Sequence, residues 1–534
     1  MKLRLSSTAY IALIALFFTL IQNIGLWHHL SDLFSKEPPH SWIFVATIPL
    51  FIFLALNVIF TLLIWPVAHR ILMPIIIILS SLATYGMYTY GTFFDYGMIV
   101  NIFETNAGEA TSYLSWGLVP WLLIICVLPI VALSLTKVVF KPFWKELLSK
   151  LISIVVSVVV IAVIAGFYYK DYASLVRNHS EIKALLNPTN YITATYRYGR
   201  YQLVEAHMPF KHLGEDAVDT NKSGRPNVVV MVLGEASRSM NYSLNGYKRD
   251  TNPQLSQRDV ISFKNVQSCG TATAVSVPCM FSDMTRATYN PTTVRHQDSV
   301  MDVLNHAGIN LLWKDNDGGC KGVCDRITHI EMTAKIDPSL CHNGSCYDQI
   351  LLNKLQQFID EQKQDTLIVI HVIGSHGPTY DDRYPAKFKH FTPTCDTSDL
   401  QNCTREQVTN TYDNSILYTD HILSQVVDIL KADDKHANTA MIYMADHGES
   451  LGEDGIYLHG LPYSIAPKEQ TTVPLILWLS PSYEKSQKIN RQCLIKESNQ
   501  GGITQDNLFH TLLGMMDVKT KIYQPKLDIF NQCR

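Results

Sequence analysis

The chain carries no excess of basic residues: 44 Lys and Arg stand against 47 Asp and Glu, for a net charge of −3. That removes the electrostatic footprint expected of a nucleic-acid binder. No internal repeat and no low-complexity tract is present, which excludes a solenoid or a largely disordered chain. Cysteine is almost missing from the first half, where Cys126 sits alone inside an apolar run. No CxxC…CxxC pair occurs anywhere, so a zinc ion held by cysteines in a cytosolic protein is disfavoured. Charge is scarce over residues 1–170, whereas 220–534 read like a water-facing protein. At 534 residues there is room for two domains, each with its own core.

What fills the first part is five apolar runs, at about 8–27, 42–65, 71–93, 117–136 and 151–169. Each is near the roughly 20 residues needed to cross a bilayer. The first is too long in its apolar stretch for a cleaved signal peptide, and no A-x-A site follows it. Lys2, Arg4, Arg70, Lys137, Lys141, Lys145 and Lys150 fall on one side of the runs. The opposite loops carry Lys36 alone, and loop 94–116 has Asp95, Glu104 and Glu109 with no Lys or Arg. By the positive-inside rule the N-terminus is cytoplasmic, and five crossings leave everything after residue 170 outside.

The cysteines agree with that placement. Ten of them lie in the polar half: Cys269, Cys279, Cys320, Cys324, Cys341, Cys346, Cys395, Cys403, Cys493 and Cys533. An even number in short-range couples reads as a disulfide set, which requires an oxidising compartment. Sequence does not fix connectivity; neighbour pairing is the default and leaves Cys493 with Cys533. The expected organisation is a transmembrane domain over 1–169, a membrane-surface linker over 170–224 and a catalytic domain over 225–534.

Within 225–534, β-branched runs at 227–233, 310–313, 366–373, 439–444 and 473–479 alternate with helical patterns. Unbroken apolar strands belong to a sheet covered on both faces, an α/β fold, whose ligands bind beyond the carboxyl ends of the strands. The unusual residues sit there. One run leads into Gly234-Glu235-Ala236-Ser237-Arg238, another into Asp446-His447-Gly448-Glu449, and a third ends at Ser375-His376-Gly377-Pro378. Carboxylate oxygen and imidazole nitrogen suit zinc, and Glu235, Asp446 and His447 supply both. A single Asp-His pair in a loop is usually a solvated turn; three clusters at strand ends are not. Between Cys269 and Cys279 lies a turn of small residues suited to phosphate, in which Thr271, Thr273 and Ser276 are each candidate nucleophiles.

The strings GEASR, NGYKRDTNPQL, SCGTATAVSVPCMFS, NDGGCKGVCD, GSHGPTY, FTPTC, NTYDNSILYTD and ADHGESLGEDGIYLHG resemble those of the lipid A phosphoethanolamine transferases, which include the mobilised colistin-resistance enzymes. The resemblance covers nearly the whole chain and implies a five-helix membrane domain followed by an alkaline-phosphatase/sulfatase-like α/β/α domain. It selects Thr273 as nucleophile, with Glu235, Asp446 and His447 as the remaining ligands of one zinc ion. It gives His376 and His459 to the phosphoethanolamine phosphate or to a second zinc, and lines the substrate pocket with Lys321, Asn316 and Glu449. Asp317 stands where some relatives have Asn, and its role is left open. Asn101 and Glu109 match positions expected near the donor head group, although both also read as solvated loop residues.

The implied reaction takes phosphoethanolamine from phosphatidylethanolamine to a lipid A phosphate, in the bacterial inner membrane with the catalytic domain in the periplasm. The implied product is a capped lipid A phosphate and polymyxin resistance, with the bilayer as partner and a monomeric enzyme. Sibling readings keep the chemistry and change the acceptor, to core heptose, Kdo or a glycan, or change the transferred group to phosphoglycerol. An arylsulfatase would need a C/S-x-P-x-R motif, and none lies near Cys269 or Cys279. A catalytically dead membrane sensor would need a lost ligand, and all four are present.

Overall fold

The computed structural model describes residues 3–36, 41–104, 115–205, 207–342 and 344–534. They fall into two compact units, one of residues up to Ile99 and from Ser115 to Tyr198, the other of the segment that begins at Val100 together with the chain from Gly199 onward. Among the described residues four helices are long and apolar enough to cross a membrane: Trp42–Leu63, Ala68–Tyr90, Leu118–Leu135 and Phe143–Val176. The first apolar run is instead a broken helix, Ser7–Gln22 and Ile24–Lys36, bent by 53°, and makes a fifth span only if the two pieces count as one.

That break has a visible cause and a visible repair. Interrupting a helix in hydrocarbon leaves backbone groups that water cannot reach. Here Asn23 Nδ2 donates to Phe18 O at 2.8 Å and to Asn187 O at 3.0 Å, and Asn187 N donates back to Asn23 Oδ1 at 2.8 Å. Asn187 Nδ2 donates to Gln22 O at 2.9 Å and to Thr84 Oγ1 at 2.7 Å. Lys150 meets the same need at another helix end: its Nζ donates to the carbonyls of Thr61 and Ile64, beside the end of Trp42–Leu63, and lies 3.8 Å from the centre of the Trp65 ring. The last apolar run extends past 169 as the helix Phe143–Asn178, kinked at Tyr168, and Thr189–Glu205 forms a further helix.

The second unit is built on a seven-stranded sheet. Its strands are β1 Asn227–Gly234, β2 Ile261–Gln267, β3 Asn310–Asp315, β4 His329–Glu331, β5 Thr366–His371, β6 Asn438–Ala445 and β7 Thr472–Leu479, in the spatial order β2-β7-β6-β1-β5-β3-β4. Only β7 runs against the others, so the carboxyl ends of the remaining six share one edge. β1, β5 and β6 are buried along their whole length, as continuous apolar runs require. Alternate residues of these strands point to opposite faces. One face packs Met231, Trp313 and Met444 against Phe281, Leu304 and Phe509, while the long helix Arg405–Ala432 covers the other.

Five expected strands are present, lengthened or shortened by a residue or two at their ends. β2 and β4 were not expected. β2 mixes Lys264, Asn265 and Gln267 among its apolar residues, and β4 is three exposed residues at the sheet edge. Both lack the burial on two faces that makes a central strand conspicuous. The ten cysteines of the second unit pair as neighbours, 269–279, 320–324, 341–346, 395–403 and 493–533, and Cys126 is buried and free.

Candidate active site

Parallel pairing brings the strand ends together. Gly234 of β1 is paired with Ala445 of β6, so the next residues, Glu235 and Asp446, emerge side by side. Ala236 then turns the chain at φ 49°, a left-handed conformation held by hydrogen bonds from its amide to Asp446 Oδ1 and from Tyr412 OH to its carbonyl. Gly374, at φ +52°, lets the loop after β5 pass Glu235; a Cβ there would lie 2.7 Å from Glu235 O. The end of β2 is the third contributor. Ser268 through Ala272 turn the chain into the helix Thr273–Met280, with Gly270 N donating to Ser276 Oγ and the 269–279 disulfide closing the turn.

Thr273 therefore opens that helix with its hydroxyl toward the two carboxylate loops. Its Oγ1 donates to Glu235 Oε2 at 3.1 Å and lies 3.3 Å from His447 Nε2. His447 Nε2 is also 3.3 Å from Glu235 Oε1 and 3.3 Å from Asp446 Oδ2. Its Nδ1 is engaged by Gly448 O at 2.9 Å, which fixes the tautomer and leaves the Nε2 lone pair facing the carboxylates. Burial pushes the His447 pKa down to about 4, so the ring stays neutral. Burial and the neighbouring charges of Asp446 and Asp317 hold Glu235 well above the usual carboxylate range.

Of the other two candidate nucleophiles, Thr271 spends its hydroxyl on Leu461 O at 2.6 Å, and Ser276 accepts from Gly270 inside the turn. Thr273 alone of the three meets the carboxylate–imidazole cluster.

The cluster fits a zinc ion. Glu235 Oε1 and Asp446 Oδ2 are buried without a hydrogen-bond partner among the described residues. One ligand atom each from Glu235, Asp446 and His447 lies within 4.8 Å of the others. Buried carboxylates left unpaired are costly, and two oxygens, a neutral imidazole nitrogen and a hydroxyl make a donor set that zinc accepts.

A second group lies alongside. The His459 ring centre is 4.2 Å from that of His447 and 5.4 Å from that of His376. His459 Nδ1 bonds Glu449 Oε2 at 2.8 Å, and Tyr380 OH donates to Glu449 Oε1 at 2.6 Å. Glu449 is fully buried and stands behind His459, with one oxygen on that ring and the other on Tyr380. Asn316 donates its amide to Cys346 O at 2.9 Å and to Asp348 Oδ1 at 2.8 Å, while lining a cavity of about 570 Å³ with Asp317, His376 and Arg383. Lys321, at φ 52° in the loop closed by Cys320 and Cys324, lines a separate cavity of about 660 Å³ with Arg295, His296 and Arg326. The two cavities share Asp315, Gly318 and Glu331. Asn101 is on the helix Tyr96–Glu104, and Glu109 lies outside the described residues.

Three buried residues of this region escaped the sequence reading: Asp315, His371 and Tyr380. Asp315 and His371 are the last residues of apolar strands, the same signal that drew attention to Glu235 and Asp446. Tyr380 has no such mark.

Comparison with known proteins places this arrangement. Residues 226–518 match the family model described as Sulfatase, and residues 52–203 match that described as Phosphoethanolamine transferase EptA/EptB. The second unit is thus a sulfatase-like, alkaline-phosphatase-type domain. The chain belongs to the phosphoethanolamine transferases of the EptA and Mcr type. It is 42% identical over 536 residues to the phosphoethanolamine transferase EptA of Escherichia coli (strain K12), covering 99% of this chain and 97% of that one. It is 33% identical over 524 residues to the phosphatidylethanolamine transferase Mcr-1 of Escherichia coli, covering 95% and 94%. The solved structure of the integral membrane lipooligosaccharide phosphoethanolamine transferase A of Neisseria meningitidis matches with a TM-score of 0.96 at 36% identity, covering 100% of this chain and 99% of that one.

Proposed function

We propose that this transferase moves phosphoethanolamine from phosphatidylethanolamine to a phosphate of lipid A through a covalent adduct on Thr273, and so confers polymyxin resistance. The observation that carries the reading is the convergence of Thr273 Oγ1 with Glu235 and His447, at 3.1 and 3.3 Å, at the mouth of a helix. The catalytic unit faces the periplasm from the inner membrane, where an enzyme tied to the bilayer meets both lipids in two dimensions.

Glu235, Asp446, His447 and Thr273 hold the zinc ion. Bound there, the ion supplies Lewis acidity that lowers the pKa of the Thr273 hydroxyl. With its pKa so lowered, Thr273 Oγ1 loses its proton to solvent and attacks the head-group phosphorus as the alkoxide. The bond from phosphorus to the diacylglycerol oxygen breaks, and His459 gives that oxygen a proton from Nε2. Glu449, by holding Nδ1, makes Nε2 the exchanging nitrogen. His376 and Lys321 bind the phosphoryl oxygens and oppose their charge. In the second half an acceptor phosphate oxygen attacks the same phosphorus and its proton goes to His459. The bond to Thr273 breaks and leaves Thr273 Oγ1 as the alkoxide, ready for the next turnover. Asn316 lines the pocket, and Asn101 and Glu109 are assigned to recognition of the donor head group.

Mass spectrometry of lipid A from Gram-negative cells expressing the chain tests the acceptor. Added phosphoethanolamine on a lipid A phosphate supports the reading. Phosphoethanolamine confined to Kdo or core sugars replaces the acceptor and leaves the Thr273 chemistry in place.

A further inference from the structure

The reading above leaves unused a buried cluster that reaches Glu235: Asp315, Asp317 and His371. Asp315 ends β3, His371 ends β5, and the two are directly paired across the sheet. Asp315 Oδ2 holds His371 Nδ1 at 2.9 Å. The same carboxylate accepts from Trp313 Nε1 at 2.9 Å, from Asp317 N at 3.0 Å and from Gly319 N at 2.8 Å, so it is locked in place. A carboxylate on one imidazole nitrogen orients the other toward a metal, the arrangement that ligating histidines ordinarily show.

The other nitrogen points at carboxylates. His371 is fully buried, and its Nε2 has no hydrogen-bond partner among the described residues. Asp317 Oδ2 is 3.6 Å away from it. Glu235 Oε1 is likewise buried without such a partner. One ligand atom each from Glu235, Asp317 and His371 lies within 4.8 Å of the others. Arg383, buried nearby, spends its three nitrogens on His376 O, Ser345 Oγ and Thr379 Oγ1. A cation between the three takes both orphaned atoms, His371 Nε2 and Glu235 Oε1, as ligands beside the Asp317 carboxylate.

We propose that Glu235, Asp317 and His371 form a second divalent-cation site, which shares Glu235 with the Thr273 centre and is separate from the pair His376 and His459. This rests on the reading of Glu235 as a metal ligand. Two carboxylates and one imidazole suit Mn²⁺ or Zn²⁺. Asp315 is its positioning residue, acting through His371.

The test counts metal on the full-length protein in detergent, stripped of metal and then titrated with Zn²⁺ or with Mn²⁺. Wild type takes up two equivalents. Asp317→Asn and His371→Gln each retain one, which also reports that the fold and the Thr273 centre survive, and Asp315→Asn weakens the second equivalent about 10–100-fold. Anomalous scattering from Mn²⁺-soaked crystals places a peak between Glu235, Asp317 and His371. The proposal is overturned if both variants keep two equivalents, or if the second equivalent is lost in His376→Ala instead. A wild type that transfers phosphoethanolamine with one equivalent bound removes the second site and leaves the Thr273 reading standing. A wild type that takes up no metal removes both.

Discussion

Glu235 and Asp446 are brought side by side by a single register: each is the residue after a directly paired couple, Gly234 and Ala445, on neighbouring parallel strands. Asp446 N donates to Gly234 O at 2.9 Å and continues the ladder one step past the strand. Two carboxylates so placed and fully buried repel each other unless a cation or a proton intervenes. His447 stays neutral between them and does not supply that charge.

A pH dependence of metal binding follows. Burial and the charges of Asp446 and Asp317 raise the Glu235 pKa, so the metal-free site keeps a proton there to higher pH than an ordinary carboxyl would, and that proton must leave when zinc binds. Affinity for Zn²⁺ therefore rises with pH, by up to about tenfold per unit for one proton released. His447, at about 4, is already neutral and adds a further loss only when the pH falls toward that value. Calorimetry in buffers of different ionisation enthalpy measures the proton released; binding that releases no proton at any pH at which the protein stays folded would contradict the assignment.

Glu449 acts through His459, and its removal should show that signature. Glu449→Gln keeps the shape but lets the His459 tautomer reverse. The expected result is a drop in kcat of about 10–100-fold with KM little changed and a displaced pH–rate profile, the drop taken by analogy with other residues that orient a ring. Tyr380→Phe removes the hydrogen bond to the other oxygen and should do less. Equal falls in thermal stability and activity, with no change in the pH profile, would make Glu449 merely structural.

Disulfide loss should be graded by distance from Thr273. Thiol labelling of the denatured, unreduced protein should find Cys126 alone, and labelling after reduction should find the ten cysteines of the second unit as well. Replacing Cys269 and Cys279 together should harm transfer most, because that bridge closes the turn that aims Thr273. If the pair Cys493 and Cys533 proves the more damaging to lose, the turn does not need its brace.

The central sheet was legible because β1, β5 and β6 are buried on both faces and must be apolar throughout. The metal-binding candidates were legible because Glu235, Asp446 and His447 interrupt that apolarity at strand ends. The choice among Thr271, Thr273 and Ser276 was not legible from residue type, since it depends on where Leu461 O and Gly270 N take up the competing hydroxyls. The division of the first apolar run was hidden for a similar reason. It depends on Asn23 meeting Asn187, 164 residues away, and hydropathy carries no information on that pairing.

Capping a lipid A phosphate with ethanolamine adds an ammonium and reduces the negative charge that draws cationic peptides to the membrane. Expression in a susceptible Gram-negative host should raise the polymyxin concentration needed for killing. Thr273→Ala and Glu235→Ala should abolish the rise, and zinc chelation should blunt it. An undiminished rise in cells expressing Thr273→Ala would detach resistance from this chemistry.

The most direct measurement incubates the purified protein with phosphatidylethanolamine and no acceptor, then maps the modified peptide by mass spectrometry. Phosphoethanolamine should appear on Thr273, vanish when lipid A is added, and be absent from Thr273→Ala, whose turnover should fall by about a thousandfold or more. Phosphoethanolamine on Thr271 or Ser276, or turnover in Thr273→Ala at the wild-type rate, would contradict the account.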